Sequence, residues 1–144
     1  MMRAISLWQP WASAMASGAK QIETRSWPTS YRGDLLICSA KRKPKFGECP
    51  DFVLANCGQL PFGFALCIVE LYDCWPTERV NELRQSIGKA ERDLGDYAPN
   101  RFAWLTRNCR TFQEPIPIVG RQGLWKLSEH FVNNFPLRPN GMSP

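Results

Sequence analysis

Residues 17–27 read SGAKQIETRSW, and six consecutive positions within them hold a lysine, a glutamate, a threonine and an arginine. Gly18 suits the position just past a helix, where the backbone turns left-handed and a side chain is strained. From Lys20 onward the residues alternate as a strand does, with Ile22 on one face and Glu23 and Arg25 on the other. The stretch therefore predicts a helix stop followed by a strand over 20–27. Its charged face is either an ordinary solvated surface or the floor of a recognition site. Trp8, Trp11 and Trp27 bracket it, and rings of that size exclude water around polar neighbours. Glu23 and Arg25 can pair and orient each other, leaving Lys20 free to act on a ligand. A desolvated lysine beside a cation can serve as base or nucleophile.

Upstream, RAISLW at 3–8 has strand length, and PWASAMASG at 10–18 opens on proline and stops at glycine, the asymmetry of a short helix. Trp11, Ala14 and Met15 supply its apolar stripe. Downstream, the turn PTSYRGD at 28–34 leads into LLICSA at 35–40, a continuous apolar run of strand length. Residues 50–58 predict another short helix between proline and glycine. FGFALCIVELYDCW at 62–75 is the strongest strand in the chain, with room for a bulge. The polar stretch 78–97 reads as one or two helices or an ordered crossing loop. RFAWLTRNCRTF at 101–112 is a strand, and PIPIVGRQGLWKL at 115–127 begins as a proline-limited edge segment and ends as a last strand at 123–127. SEHFVNNF predicts a closing helix capped by Ser128, and PLRPNGMSP a frayed tail.

The elements come to about six short strands and three or four short helices, without regular alternation. That pattern predicts a mostly β (α+β) fold, a small barrel decorated by helices, and argues against a parallel βαβ sheet. The 144 residues suit one domain over 1–135 with a tail at 136–144, since domains most often run about 100–150 residues.

Composition narrows the classes. Hydrophobic residues at 44% and charged residues at 22% support a packed core. No apolar run approaches the ~20 residues of a membrane-spanning helix. The N-terminus lacks a long apolar segment before a cleavage site, so the expected location is the cytoplasm. Six cysteines, at 38, 49, 57, 67, 74 and 109, form no CxxC pair, and His130 is the single histidine. Neither a zinc site nor a disulfide framework is expected, and Cys38 and Cys67 read as small core residues. Phosphate-cradling glycine loops are absent from the sequence, and one histidine near the C-terminus leaves a Ser-His-Asp or Cys-His arrangement hard to build. No metal and no cofactor are expected. A net charge of +5 favours polyanionic partners. The cations cluster at Arg32, Lys41, Arg42, Lys43 and Lys45, then recur at Arg101, Arg107, Arg110 and Arg121.

The run SLWQPWASAMASGAKQIETRSWPTSYRGDLLICSAKR at 6–42 resembles the opening of an ASCH domain. Its GxKxxExR signature falls on Gly18, Lys20, Glu23 and Arg25, flanked by QPWA and YRG. GDYAPNRFAWLTRNCRTFQEPIPIVGRQGLWKL at 95–127 is similar to the second half of bacterial and phage ASCH proteins. The resemblance implies a PUA-like fold, a small β-barrel of about six strands with peripheral short helices. Members of that superfamily bind RNA or modified bases in a cleft beside the barrel. Three activities are implied for different ASCH proteins: nucleic-acid binding, RNA cleavage and hydrolysis of N4-acylated cytosine nucleosides. Fold alone does not choose among them.

In the amidohydrolase branch the lysine that Lys20 resembles is the activating one, and a threonine follows it by three residues. Here Glu23 holds that position and Thr24 comes next. A shift of one residue turns a strand side chain to the opposite face. Either Glu23 takes a different role, or Thr24 reaches the pocket through a bulge. The branch also uses a glutamate from the segment before the penultimate strands, for which Glu91 is the match and Asp93 the second choice.

The reading that follows is a nucleobase-recognising amidohydrolase that deacylates N4-acylated cytosine nucleosides such as N4-acetylcytidine. Lys20, Glu23, Thr24 and Glu91 are its candidate catalytic residues; Arg25, Trp8, Trp27, Tyr31 and Trp104 are its candidate substrate contacts. Lys20 and Glu91 would manage proton transfer while a hydroxyl or water attacks the acyl carbonyl. One alternative is an RNA- or DNA-binding module without catalysis, supported by the net charge, the KRKPK segment and aromatics that can stack on bases. The other is a metal-independent ribonuclease using Lys20 with Tyr31 or Ser26. The expected partner is a small nucleoside or RNA, with no membrane, and the protein a monomer or weak dimer.

Overall fold

The computed structural model describes residues 2–51, 57–83 and 87–139. In chain order the elements are β1 (Arg3–Leu7), α1 (Trp11–Ala16), β2 (Ile22–Arg25), β3 (Gly33–Ser39), a 3-10 turn at Cys57–Gln59, β4 (Phe64–Pro76), α2 (Thr77–Glu82), α3 (Lys89–Asp93), β5 (Phe102–Pro117), β6 (Trp125–Lys126) and α4 (Glu129–Asn134). All six strands join one sheet in the order β2-β5-β4-β3-β1-β6. The β1–β3 pair is parallel and the others are antiparallel.

The sheet curls into the wall of a half-barrel because its long strands are irregular. The register between β4 and β5 shifts at Ala65/Cys67, Ile68/Glu70 and Leu71/Asp73, and that between β3 and β4 shifts at Ile37/Cys38. Each such irregularity bends the strand and raises its twist. The mostly β fold expected from the sequence is the one found.

Alternation along the strands gives the core two main faces, beside a smaller third cluster of Val80, Ala103 and Leu105. Ile5, Leu7, Leu35, Ile37, Val69, Leu71 and Trp104 pack on one face, covered by Ala12 and Met15 of α1. Ala4, Leu36, Cys38, Ala65, Ile68, Phe112 and Ile116 pack on the other, closed by Leu127 with Phe131 and Leu137 at its margin. Burial on both faces explains why LLICS shows no polar alternation. Each fully buried Leu or Ile contributes about 1.5–3 kcal/mol. Cys38 and Cys67 are fully buried core residues, and burial pushes the Cys38 thiol up to about 12.

Several boundaries differ from the sequence reading. The strand expected over 101–112 and the proline-limited segment after it are one strand of 16 residues ending at Pro117. The Ile118 amide donates to the Gly63 carbonyl, so at this end of the strand the even-numbered amides face β4. Pro115 and Pro117 then turn their missing N–H groups outward, where they cost no ladder bond. The polar stretch 78–97 holds two short helices, α2 and α3. The helix expected over 50–58 falls largely outside the described residues. Ser128 caps α4 as expected, accepting the Phe131 amide. The start of the expected tail is tied to the sheet: Leu137 bridges Phe112, and the Arg138 amide donates to the Thr111 carbonyl at 2.7 Å.

Candidate functional site

α1 ends at Ser17, and Gly18 takes φ +82 while its amide donates to Met15 O at 3.1 Å. The Lys20 amide then donates to Ala14 O at 3.0 Å, which holds Lys20 at the mouth of β2. Its side chain folds inward and is 1% exposed. Nζ donates to the Ile22 carbonyl and stands 3.5 Å from Glu23 Oε1. Glu23 Oε2 lies 3.7 Å from Arg25 Nε, and Arg25 Nη2 donates to Ser6 O at 2.9 Å. One carboxylate thus serves two cations, which offsets the cost of burying Lys20.

Glu23 and Arg25 line a cleft of about 870 Å³ with Ser6, Trp8, Trp11 and Trp27. Lys20 does not line it and reaches it only through Glu23. Two polar atoms of the floor, Arg25 Nε and Ser6 Oγ, are buried without a hydrogen-bond partner among the described residues. Such atoms are rare unless a ligand or water completes them.

Trp8 is half exposed at 52%. The Arg42 guanidinium lies over its ring, 3.9 Å from the centroid, and donates to Glu48 at 2.5 Å. That hydrogen bond holds the Glu48 carboxyl below the usual glutamate range. Across the cleft, Asp93, Gly95, Asp96 and Arg101 form the rim. Arg101 fastens this rim to β2, with Nε donating to Asp96 O at 3.1 Å and Nη2 to Thr24 O at 3.2 Å.

The structure separates the expected site residues. Glu23, Arg25, Trp8 and Trp27 meet at the cleft. Thr24 also lines the cleft, without a bulge, because β2 pairs with β5 in unbroken register from Ile22 to Arg25. Its Oγ1 accepts the Asp96 amide at 2.9 Å, so it positions the rim. Glu91 is not at the cleft: its carboxylate accepts the amides of Gln21 and Ile22, each at 2.8 Å. Asp93, the second choice, does line the cleft but pairs with Lys89 at 2.7 Å. Trp104 is fully buried and cannot touch a ligand. Its ring meets Trp27 edge-on at 4.7 Å, and its indole N–H donates to Trp27 O at 3.2 Å. Tyr31 packs against the core and donates its hydroxyl to Asp34 O, away from the cleft.

The residues missed from sequence are Ser6, Gln9, Arg42, Asp96 and Arg101. Gln9 is buried in QPWA and builds the turn into α1, accepting the Ser13 amide at 2.9 Å and donating to Pro61 O at 2.8 Å. Its place in the signature was the available signal. Arg42 and Arg101 were visible only as members of basic clusters.

The chain is 29% identical over 135 residues to human activating signal cointegrator 1 and 28% to its mouse counterpart. Those matches cover 85% of this chain, which spans about a fifth of the relatives' length (22%). The crystal structure of ASCH from Zymomonas mobilis superimposes with a TM-score of 0.61 at 16% identity, covering 93% of this chain and 95% of that one. The ASCH domain matches over residues 5–116, and the chain belongs to the ASCH domain family.

Proposed function

We propose that this chain is a base-recognising module for single-stranded RNA. The observation that carries the reading is the cleft floor: the donor Arg25 and the acceptor Glu23 stand side by side within a cavity walled by the half-exposed Trp8 ring. A base edge requires such a donor and acceptor, and a base face such a ring. The cleft also shares Ser6, Trp8, Arg25 and Trp27 with a second cavity of about 550 Å³, a shape that suits a strand better than an isolated small molecule.

Anisotropy titration of a labelled RNA tests this. Affinity is expected to fall steeply with salt, and Trp8→Ala to weaken binding by about 1–3 kcal/mol, the worth of one stacked base. Wild-type affinity in Trp8→Ala would remove the reading. A DNA strand of the same sequence reports whether the ribose hydroxyl matters.

A second reading, deacylation of N4-acetylcytidine, is favoured by the buried Lys20–Glu23 pair. Here Lys20 would act through Glu23, with water attacking the acyl carbonyl to release acetate and cytidine. Loss of cytidine release in Lys20→Met with the fold intact supports it, and a wild-type rate in that variant removes it. RNA left intact in EDTA would dispose of the ribonuclease alternative.

A further inference from the structure

The two adjoining cavities differ in charge. The cleft mixes Arg25, Arg42 and Arg101 with Glu23, Glu48, Asp93 and Asp96. The second cavity is lined by Arg25, Lys41 and Arg121 and by no carboxylate. We infer that this second cavity is a phosphate pocket, holding the backbone of a strand whose base occupies the cleft; the inference rests on the base-recognising reading above.

Lys41 and Arg121 have no ion-pair partner among the described residues, whereas Arg32, Arg42, Arg101, Arg107 and Arg110 each have a carboxylate within 4.0 Å. Cations left unpaired in one concave site raise the local concentration of anions. The backbone of the same wall is open too. The amides of Gly120, Arg121, Gln122 and Gly123 donate to no protein acceptor among the described residues, and outward-facing turn amides are anion ligands.

Glycine lets the turn close on the shared wall. A Cβ at Gly120 would collide with Ser6 Oγ, and Gly123 adopts φ +69. Gly63, at φ +84, leaves room for the Lys41 stem, whose Cγ would lie 3.0 Å from a Cβ there. Ser6 Oγ and Arg25 Nε, which lack a hydrogen-bond partner among the described residues although Arg25 is ion-paired with Glu23, sit on the wall common to both cavities. Arg25 can therefore bond a base edge on one side and a phosphate oxygen on the other.

The test titrates the full chain, Lys41→Gln/Arg121→Gln and Trp8→Ala with a labelled RNA of about eight nucleotides and a labelled abasic ribose-phosphate oligomer of equal length, across a salt series. Both lysine and arginine sites are exposed, and thermal melting checks that each variant is folded. The double variant is expected to lose about tenfold in affinity for both probes, with the log K against log salt slope shallower by about 0.7–1.4. Wild-type affinity and slope in the double variant overturn the pocket, as does a wild-type protein that binds neither probe. If the double variant loses both probes while Trp8→Ala loses neither, the pocket stands and the base-recognising reading falls.

Discussion

Glu91 Oε1 accepts the amide of Ile22 at 2.8 Å across 69 residues of chain, while Oε2 accepts the neighbouring Gln21 amide at the same distance. β2 is one of the sheet's two edge strands, paired only with β5, so α3 supplies the acceptors that its first amides lack. The carboxylate expected to do chemistry instead fastens the strand that carries Glu23 and Arg25.

Glu91→Ala is therefore expected to lower stability by about 2–3 kcal/mol, because two amides lose a charged acceptor. Ligand affinity of the folded protein should be unchanged. Urea unfolding followed by RNA titration checks this. Lost affinity at undiminished stability would return Glu91 to the site.

Trp104→Phe removes the indole donor to Trp27 O and leaves a void in the core. A cost of about 2–4 kcal/mol is expected, with affinity changed less than about threefold. A large loss of binding with a wild-type denaturation midpoint would contradict its assignment to the core.

Arg42 covers one face of Trp8 while Glu48 holds it there. Arg42→Ala should expose that face and tighten binding of free cytidine by about two- to fivefold, the worth of an exposed cation–π contact. Calorimetry reads the change, and weaker binding would make Arg42 a ligand contact. Arg42 lowers the Glu48 pKa, so the pair's contribution is full above the ordinary glutamate value and lost as pH falls through the lowered one. Releasing Arg42 from Glu48 at acid pH is expected to change the tryptophan fluorescence, and Glu48→Gln should abolish that change.

The Tyr97 hydroxyl is buried without a hydrogen-bond partner among the described residues. Burial pushes its pKa up, to about 12, with the Glu91 charge adding to it. A raised value means the neutral phenol's contribution is complete below about 10 and lost as pH rises towards about 12. Tyr97→Phe removes the unpaired hydroxyl and is expected to gain about 1 kcal/mol at neutral pH. Thermal melts should also lose part of the alkaline decline between those values.

The strands were legible because alternation and apolar runs report burial directly. KQIETRSW placed Glu23 and Arg25 on one face, and that face is the cleft floor. The end of β5 was less legible, because a proline ends a strand only when its missing N–H points inward; at Pro115 and Pro117 it points out. Tyr31 and Trp104 were misplaced for a related reason. An aromatic in a strand pattern can pack inward or face a ligand, and its neighbours in sequence do not say which.

By itself, the sequence determined the curled mostly β sheet, the family, and the charged strand at the centre of the site. Only the tertiary structure decided what each charge does. Lys20 is buried behind Glu23, Glu91 is committed to two amides, Arg42 lies on Trp8, and Lys41 and Arg121 line one cavity with Gly120 and Gly123. Periodicity records which way a side chain points, a property of a few adjacent residues. Which partner it meets depends on segments tens of residues away, brought together when the sheet closes its long-range registers.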